Sequence, residues 1–270
     1  RRDPNPYARS SGQTTQENTM QLTKIGAVLT AASAVSLLAT PAAADVRVAH
    51  LSPNTPTVDV LAGLSGQSKG LLFDAASYPS ITPYLPVPTG TYDIDVVLDS
   101  DNSVVGIDVD NFAIDADTDY TIAAVGLLGG DPALQALPLV DDNTIDESNA
   151  RVRFVHASSN APTVDIDAVG VGTVFDDVDR FTSGGYISVP GGTYDFDVFL
   201  SDDRDAGSVL DLDGIVLDNG TVYTVYAIGL VGDVDTPLGA TISVDAVIPE
   251  PASLGLLSAG GLLLMRRRRA

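Results

Sequence analysis

Three blocks of the chain are written twice, in the same order, and this duplication limits what it can fold into. Val46-Arg47-Val48-Ala49-His50-Leu51-Ser52-Pro53-Asn54-Thr55-Pro56-Thr57-Val58-Asp59 returns as Val152-Arg153-Phe154-Val155-His156-Ala157-Ser158-Ser159-Asn160-Ala161-Pro162-Thr163-Val164-Asp165. Val87-Pro88-Thr89-Gly90-Thr91-Tyr92-Asp93 returns as Val189-Pro190-Gly191-Gly192-Thr193-Tyr194-Asp195, and Tyr120-Thr121 with Gly126-Leu127 returns as Tyr223-Thr224 with Gly229-Leu230. The repeated unit is roughly 100 residues, the size of an ordinary domain. Between the copies, residues 141–150 are polar and acidic, as a linker would be. The expected division is therefore one repeat over 45–140, a linker over 141–150 and a second repeat over 151–248.

Each unit reads as β-structure. From Thr91 to Leu98, Tyr92, Ile94, Val96 and Leu98 alternate with residues that include Asp93 and Asp95, and Thr193 to Leu200 repeats the pattern. A period of two describes a half-buried strand with one wet face. Tyr120 to Leu128 and Val222 to Val231 are longer apolar runs rich in β-branched residues, which suit central strands buried on both faces. Neither unit contains an amphipathic helical period. The expected fold is all-β: two tandem antiparallel β-sandwiches of immunoglobulin-like shape. Without Cys or Trp the chain lacks the hallmarks of a true immunoglobulin domain.

The pattern Val-Arg-x-x-His-x-Ser-x-Asn-x-Pro-x-Val-Asp, then Tyr-x-x-x-Pro-x-Gly-Thr-Tyr-Asp, then Tyr-Thr-x-x-x-x-Gly resembles the domain of unknown function 4397 family over nearly all of 45–248. The resemblance implies an exported, surface-associated bacterial β domain. It implies no activity and no catalytic residues.

The two ends read as addresses. Residues 1–19 are polar and look like an over-called start. From Met20, a short basic region at Lys24, an apolar run from Ile25 to Leu38 and the small residues Ala42-Ala43-Ala44 follow the order of a secretory signal peptide over 20–44. Ala42 and Ala44 mark the expected cleavage motif, with the cut after Ala44. At the other end, Pro249, Glu250 and Pro251 precede a 14-residue apolar stretch, Ala252 to Met265, and the cluster Arg266, Arg267, Arg268 and Arg269. As a helix the stretch would be about 21 Å long, against about 30 Å of hydrocarbon core. Pro-Glu-Pro, a short Gly/Leu-rich helix and terminal arginines resemble a PEP-CTERM sorting signal over 249–270. That resemblance implies an exosortase-type partner and placement at the cell surface or in the extracellular matrix. It also implies membrane contact, transient or permanent, only through the C-terminal helix. The expected fold thus carries an N-terminal signal helix and a short C-terminal hydrophobic helix as flanks.

Composition narrows the function. With the ends set aside, residues 45–248 hold 33 of the 36 acids and 6 of the 14 bases, a net charge of −27. Such a body cannot neutralise phosphates, which argues against nucleic acid as a partner. No Cys and two His leave few ways to build a transition-metal or thiolate site.

Three sets of residues remain as candidates. His50 and His156 are each followed by Ser at i+2 and by Asp59 or Asp165 nine residues on. This permits a Ser-His-Asp system, hence a hydrolase, or a structural His that caps a strand end. No Gly-x-Ser-x-Gly elbow accompanies them. Arg47 and Arg153 fall at one repeat position and read as structural ion pairs with Asp59 and Asp165, or as arginines presented to an acidic glycan. Asp115, Asp117 and Asp119 have the opening spacing of a calcium loop, and Asp211 and Asp213 precede Gly214. Tyr120 stands where such a loop needs Gly, and no Glu closes it. No cofactor is required by the sequence, with Ca²⁺ the one candidate. The sequence thus points to a non-enzymatic surface or matrix protein, with a calcium- or polysaccharide-binding adhesion module as the alternative.

Overall fold

A computed structural model describes residues 42–248. The first repeat contributes β1 (Ala43–His50), β2 (Val58–Leu64), β3 (Gly70–Ala76), β4 (Ser80–Ile81), β5 (Leu85–Pro88), β6 (Gly90–Leu98), β7 (Asp101–Ile114), β8 (Asp119–Val125) and β9 (Gln135–Asp141). The second contributes β10 (Ala150–His156), β11 (Val164–Ala168), β12 (Gly172–Val178), β13 (Ser183–Val189), β14 (Gly192–Leu200), β15 (Leu210–Leu217), β16 (Thr221–Ile228) and β17 (Gly239–Val247). Each repeat folds into two sheets. In the first these are β4-β1-β8-β9, with β5 also on β1, and β3-β2-β6-β7. In the second they are β13-β10-β16-β17 and β12-β11-β14-β15.

Alternation along the strands decides which face goes where. On β1, Val46 and Val48 enter a core that also takes Val58, Val60, Ile94 and Ile107 from the other sheet of the first repeat. On β10, Val152 and Phe154 do the same with Ile166, Phe175 and Phe196 in the second. The intervening residues face a third core shared by both repeats: Ala49, Leu51, Ala123 and Val125 meet Val155, Ala157, Tyr226 and Ile228. The four sheets therefore lie as layers, with β1-β8 and β10-β16 inside and one sheet outside each. The repeats are not independent beads.

This layering explains the long apolar runs. All eight residues of β16 are buried, as are most of β8, because both of their faces are covered. Both runs stop at a glycine. Gly126 and Gly229 have φ of +86° and +82°, and a Cβ there would stand 2.2 Å from the Ala133 carbonyl oxygen or 2.1 Å from that of Pro237. Only glycine fits that turn.

The structure corrects several expectations. The sandwiches are not purely antiparallel: β1 pairs with β8, and β10 with β16, in parallel. Parallel pairs suit strands covered on both faces. Among the described residues the fold is all-β, and the flanking helices expected over 20–44 and 249–270 are not part of it; residues 20–41 lie outside the described residues. Among the described residues there is no α-helix, and the one helical element is a 3-10 turn at Arg204–Ala206. Ala43 and Ala44, expected to end a signal helix, lie in β1 and pair with Pro88 and Val87 of β5. Membrane attachment through a C-terminal helix is likewise not supported: among the described residues no helix is long and apolar enough to cross a membrane. Residues 249–270 lie outside the described residues. Anchoring there, and the exosortase-type partner tied to it, drop out of the account.

The outer sheets carry the acidic stripe. Asp95 on β6 faces Asp108 on β7, and Asp197 on β14 faces Asp211 on β15. Like charges directly opposite one another destabilise a sheet. In the first repeat Lys69 lies between them, 2.6 Å from Asp95 and 3.7 Å from Asp108. In the second no lysine does so, and burial together with Asp211, Asp213, Asp167 and Asp195 raises the Asp197 pKa. Going from about 0.01 M to about 0.15 M monovalent salt shrinks the Debye length from about 30 Å to about 8 Å. Thermal melts should show Tm rising over this range; a Tm that falls would contradict the repulsion.

Candidate functional site

The densest polar constellation lies between the two inner sheets. Arg47 of β1 and Arg153 of β10 each replace one apolar residue on the face that meets the other repeat. Their partners are exchanged between repeats. The Arg47 guanidinium donates to Asp245 of β17 at 2.6 Å, and that of Arg153 donates to Asp141 of β9 at 2.5 Å. Each arginine Nε donates to the threonine on the neighbouring parallel strand, Arg47 to Thr121 at 2.7 Å and Arg153 to Thr224 at 3.1 Å. Those hydroxyls donate onward to the carboxylates, Thr121 to Asp141 at 2.5 Å and Thr224 to Asp245. The Tyr84 hydroxyl donates to Asp141 at 2.6 Å, and that of Ser243 to Asp245 at 2.5 Å. Aromatic rings close both flanks: Arg47 lies 4.5 Å from the Tyr84 ring centroid and Arg153 lies 4.8 Å from that of Tyr186. The result is a near two-fold cluster of two cations and two anions.

All four charges are out of water. The arginine side chains are 2–3% exposed and both Asp side chains 0%. Burial opposes the charge on each guanidinium, but for Arg47 the oxygens of Tyr226, Asp245, Tyr84 and Asp141 raise its pKa above the ordinary arginine value. Arg153 is raised likewise, chiefly by Asp141. Burial, then Asp141, pushes the Tyr84 hydroxyl up, so it remains a donor. Desolvating four charges is costly, and a buried pair often contributes little net stability. What this one supplies is register. A slip of either inner sheet would leave a charge buried without its partner. We find no cleft, open coordination position or free nucleophile in it.

The expected Arg47–Asp59 and Arg153–Asp165 pairs do not form. An arginine presented to an acidic glycan is also ruled out, because both arginines are buried; the polysaccharide partner has no support in the described residues. Asp59 and Asp165 instead hold irregularities in the outer sheets. Asp59 accepts the Ala75 N–H and Asp165 the Asp177 N–H, each at 2.9 Å. Ala75 and Asp177 both have φ of +50° and sit where the register of β2-β3 and β11-β12 shifts. A carboxylate thus satisfies the N–H that a β-bulge leaves over. Asp93 and Asp195, from the doubled Gly-Thr-Tyr-Asp, do the same for the N–H groups of Asn111 at 3.0 Å and Gly214 at 2.7 Å.

The His–Ser–Asp reading fails on geometry. Nε2 of His50 lies 3.0 Å from the Pro56 carbonyl, and Nε2 of His156 lies 2.8 Å from that of Pro162, so each ring donates to its own turn. Ser52 donates to the Gly126 carbonyl at 2.7 Å and Ser158 to that of Gly229 at 2.8 Å. Asn54 and Asn160 pair with the backbone of Leu128 and Val231. The His-x-Ser-x-Asn motif is a clasp that ties the loop after the first strand to the end of its parallel neighbour.

Burial lowers the pKa of both histidines. The unfolded chain therefore takes up protons below about pH 6.5 that the folded chain refuses. Stability present above that pH is lost as pH falls towards the depressed folded values. Tm should drop between about pH 7.5 and about pH 5.5. The double variant His50→Gln/His156→Gln should flatten that drop. An equally steep profile in the double variant would remove the histidines as its cause.

The calcium candidates do not converge. Asp115 and Asp117 lie in the turn between β7 and β8, and Asp119 opens β8, where its carboxylate accepts the Asn143 side-chain N–H at 2.7 Å. Asp211 and Asp213 lie on β15 in the exposed stripe. The carboxylates that do gather, within 4.8 Å of one another, are Asp59, Asp74 and Asp99 in the first repeat and Asp165, Asp176 and Asp177 in the second. In the second, Arg204 supplies positive charge to Asp165 at 2.8 Å. At the expected cleavage motif, Ala44 is buried in β1 and the Ala42 carbonyl accepts the Thr89 N–H at 3.0 Å. Pro249, Glu250, Pro251 and Arg266 to Arg269 lie outside the described residues.

Sequence reasoning missed Asp141, which reads as the first residue of a linker, and also Asp245, Thr121, Thr224 and Tyr226. One signal was present. Each repeat ends on a Val-Asp pair, Val140-Asp141 and Val244-Asp245, about 20 residues after its Tyr-Thr.

Residues 44–167 match the family described as Domain of unknown function (DUF4397). The match is a little under half of the chain and takes in the first repeat, a DUF4397-like β-domain, together with β10 and most of β11. No curated protein matches. Among solved structures, the chain is similar to the fimbrial anchor protein Mfa2 from Porphyromonas gingivalis, at 10% identity over 76% of this chain and 100% of that one, with a TM-score of 0.20. It is also similar to the Bacillus anthracis TIE protein, at 10% identity over 77% of this chain and 32% of that one, with a TM-score of 0.19. Scores this low do not establish a shared fold.

Proposed function

We propose that the chain is an exported, non-enzymatic structural or interaction protein of the cell surface or extracellular matrix. One observation carries the reading: the Arg, His, Ser and Asp side chains shared by both copies of the motif each make an internal bond. Arg47 and Arg153 hold the repeats together, His50 and His156 bond their own turns, Ser52 and Ser158 tie the clasp, and Asp59 and Asp165 fill the bulges. A motif kept for chemistry would leave a nucleophile or base facing a cleft. The resemblance of 20–44 to a signal peptide supports export. The −27 charge of the body suits a protein kept soluble by repulsion outside the cell. Protease treatment of intact cells tests the placement. The expected result is digestion of the full-length protein on intact cells or its recovery from the medium, with both lost when the apolar run Ile25 to Leu38 is deleted. A protected, cytoplasmic protein would overturn the proposal.

A further inference from the structure

The two sandwich cores differ in one respect that their shared pattern does not predict. Between the sheets of the first repeat lies a cavity of about 180 Å³, walled by Val48, Val60, Phe73, Val87, Ile94 and Ile122 among others. A further void of about 20 Å³ shares Val48, Val60, Ile94 and Ile122 with it. In the second repeat the void among the corresponding residues is only about 10 Å³. Two substitutions on the wall go with the difference. Val48 corresponds to Phe154 and Ile94 to Phe196, so phenyl rings fill in one repeat what stays open in the other.

The chemistry of the space is apolar. The one side-chain hydroxyl on its wall, that of Tyr92, already donates to the Pro88 carbonyl at 2.8 Å. Water there would lack the polar partners it needs, and dry cavities of about 150 Å³ take up benzene. The repeats also differ at the edge strand that borders the cavity. In the second repeat this edge is the continuous β13, whose Ile187 packs on the core. In the first it is broken into β4 and β5, and Pro83 and Pro86, which have Gly185 and Ser188 as counterparts, remove N–H groups that a continuous ladder would use. Leu85, the counterpart of Ile187, is exposed, and so are Pro86 and Pro88 on the cavity wall.

We propose that the first repeat is a binding site for a small apolar molecule with a ring-sized hydrocarbon group, admitted past β5 and seated between Val48 and Ile94. The second repeat is the same site closed from within by Phe154 and Phe196.

Titration of the full chain with benzene, followed by the Val and Ile methyl resonances, tests this. Saturable shifts are expected at Val48, Val60, Ile94 and Ile122, with Val152 and Ile166 unmoved. Val48→Phe and Ile94→Phe, which write the second repeat into the first, should each lose saturable binding while remaining folded. Benzene shifts spread equally over both repeats, no saturable shift at the four wall residues, or unchanged binding in a folded variant would overturn the proposal. Should either variant fail to fold, the methyl map of the unaltered chain decides alone.

Discussion

Replacing Arg153 with methionine is expected to destabilise the chain by about 3–5 kcal/mol, read as a fall in the urea midpoint with little change in slope. That is a large share of a total stability of roughly 5–15 kcal/mol. The cost comes less from the lost attraction than from what stays behind. Asp141, with its side chain 0% exposed, would lose its only guanidinium within 3 Å; the Arg47 Nε stands 4.0 Å away. Adding Asp141→Leu to Arg153→Met removes the stranded carboxyl group and should recover a large part of the loss, since apolar replacements of buried pairs are often near neutral. Recovery should be incomplete, because the Thr121 and Tyr84 hydroxyls would then lose their acceptor. If Arg153→Met cost less than about 1 kcal/mol, the range of exposed pairs, the cluster would have no more weight than a surface contact.

The first repeat expressed alone, residues 42–140 extended through Asp141, is expected not to persist as a monomer. Its inner sheet would expose Leu51, Ala123 and Val125, all fully buried in the whole chain, and leave Arg47 without Asp245. Contiguous apolar surface of this kind drives association. A specific partner is available, namely a second copy. Because Arg47 takes the Asp of the other repeat and Asp141 takes its Arg, two copies of the first repeat can reproduce the exchange, Arg47 to Asp141 in both directions. Such a two-fold contact is self-complementary. Sedimentation should give a dimer, and Asp141→Asn should weaken it towards unfolded or aggregated chain. A well-folded monomer at micromolar concentration would show that the inner face does not need a partner.

Much of the fold is legible in the sequence, and the limits of that legibility have physical causes. The doubled blocks set two units, period two marks β6 and β14, and the unbroken apolar runs mark β8 and β16 as strands covered on both sides. What covers them was not legible, because a run buried on both faces does not say whether its second cover is a sheet of its own unit or of the neighbour. Arg47 lies one residue from Val46 and from Val48, so alternation puts it on the opposite face. Its partner, Asp245, is 198 residues away, beyond any local spacing rule. Asp59, at the right distance for a neighbouring strand, was the plausible partner; the bulge at Ala75 claims it first. Asp141 was hidden by its surroundings, since an acid at the head of an acidic stretch reads as solvated linker. The motif supplies Ser and Asp to each histidine without a nucleophile elbow, so the sequence left the catalytic and structural readings open; the structure places each Nε2 on a turn carbonyl.

The duplicated units form one cooperative body joined by exchanged buried ion pairs. The chain has no Trp, so a single introduced Trp reports on its own repeat. Phe112→Trp in the first repeat and Tyr194→Trp in the second place reporters at partly buried core positions. Urea unfolding followed by Trp fluorescence in each variant should give the same midpoint as the loss of β-structure seen by circular dichroism in that variant, and Arg153→Met should move both reporters together. Two separate transitions, or a shift confined to the second repeat, would contradict the account.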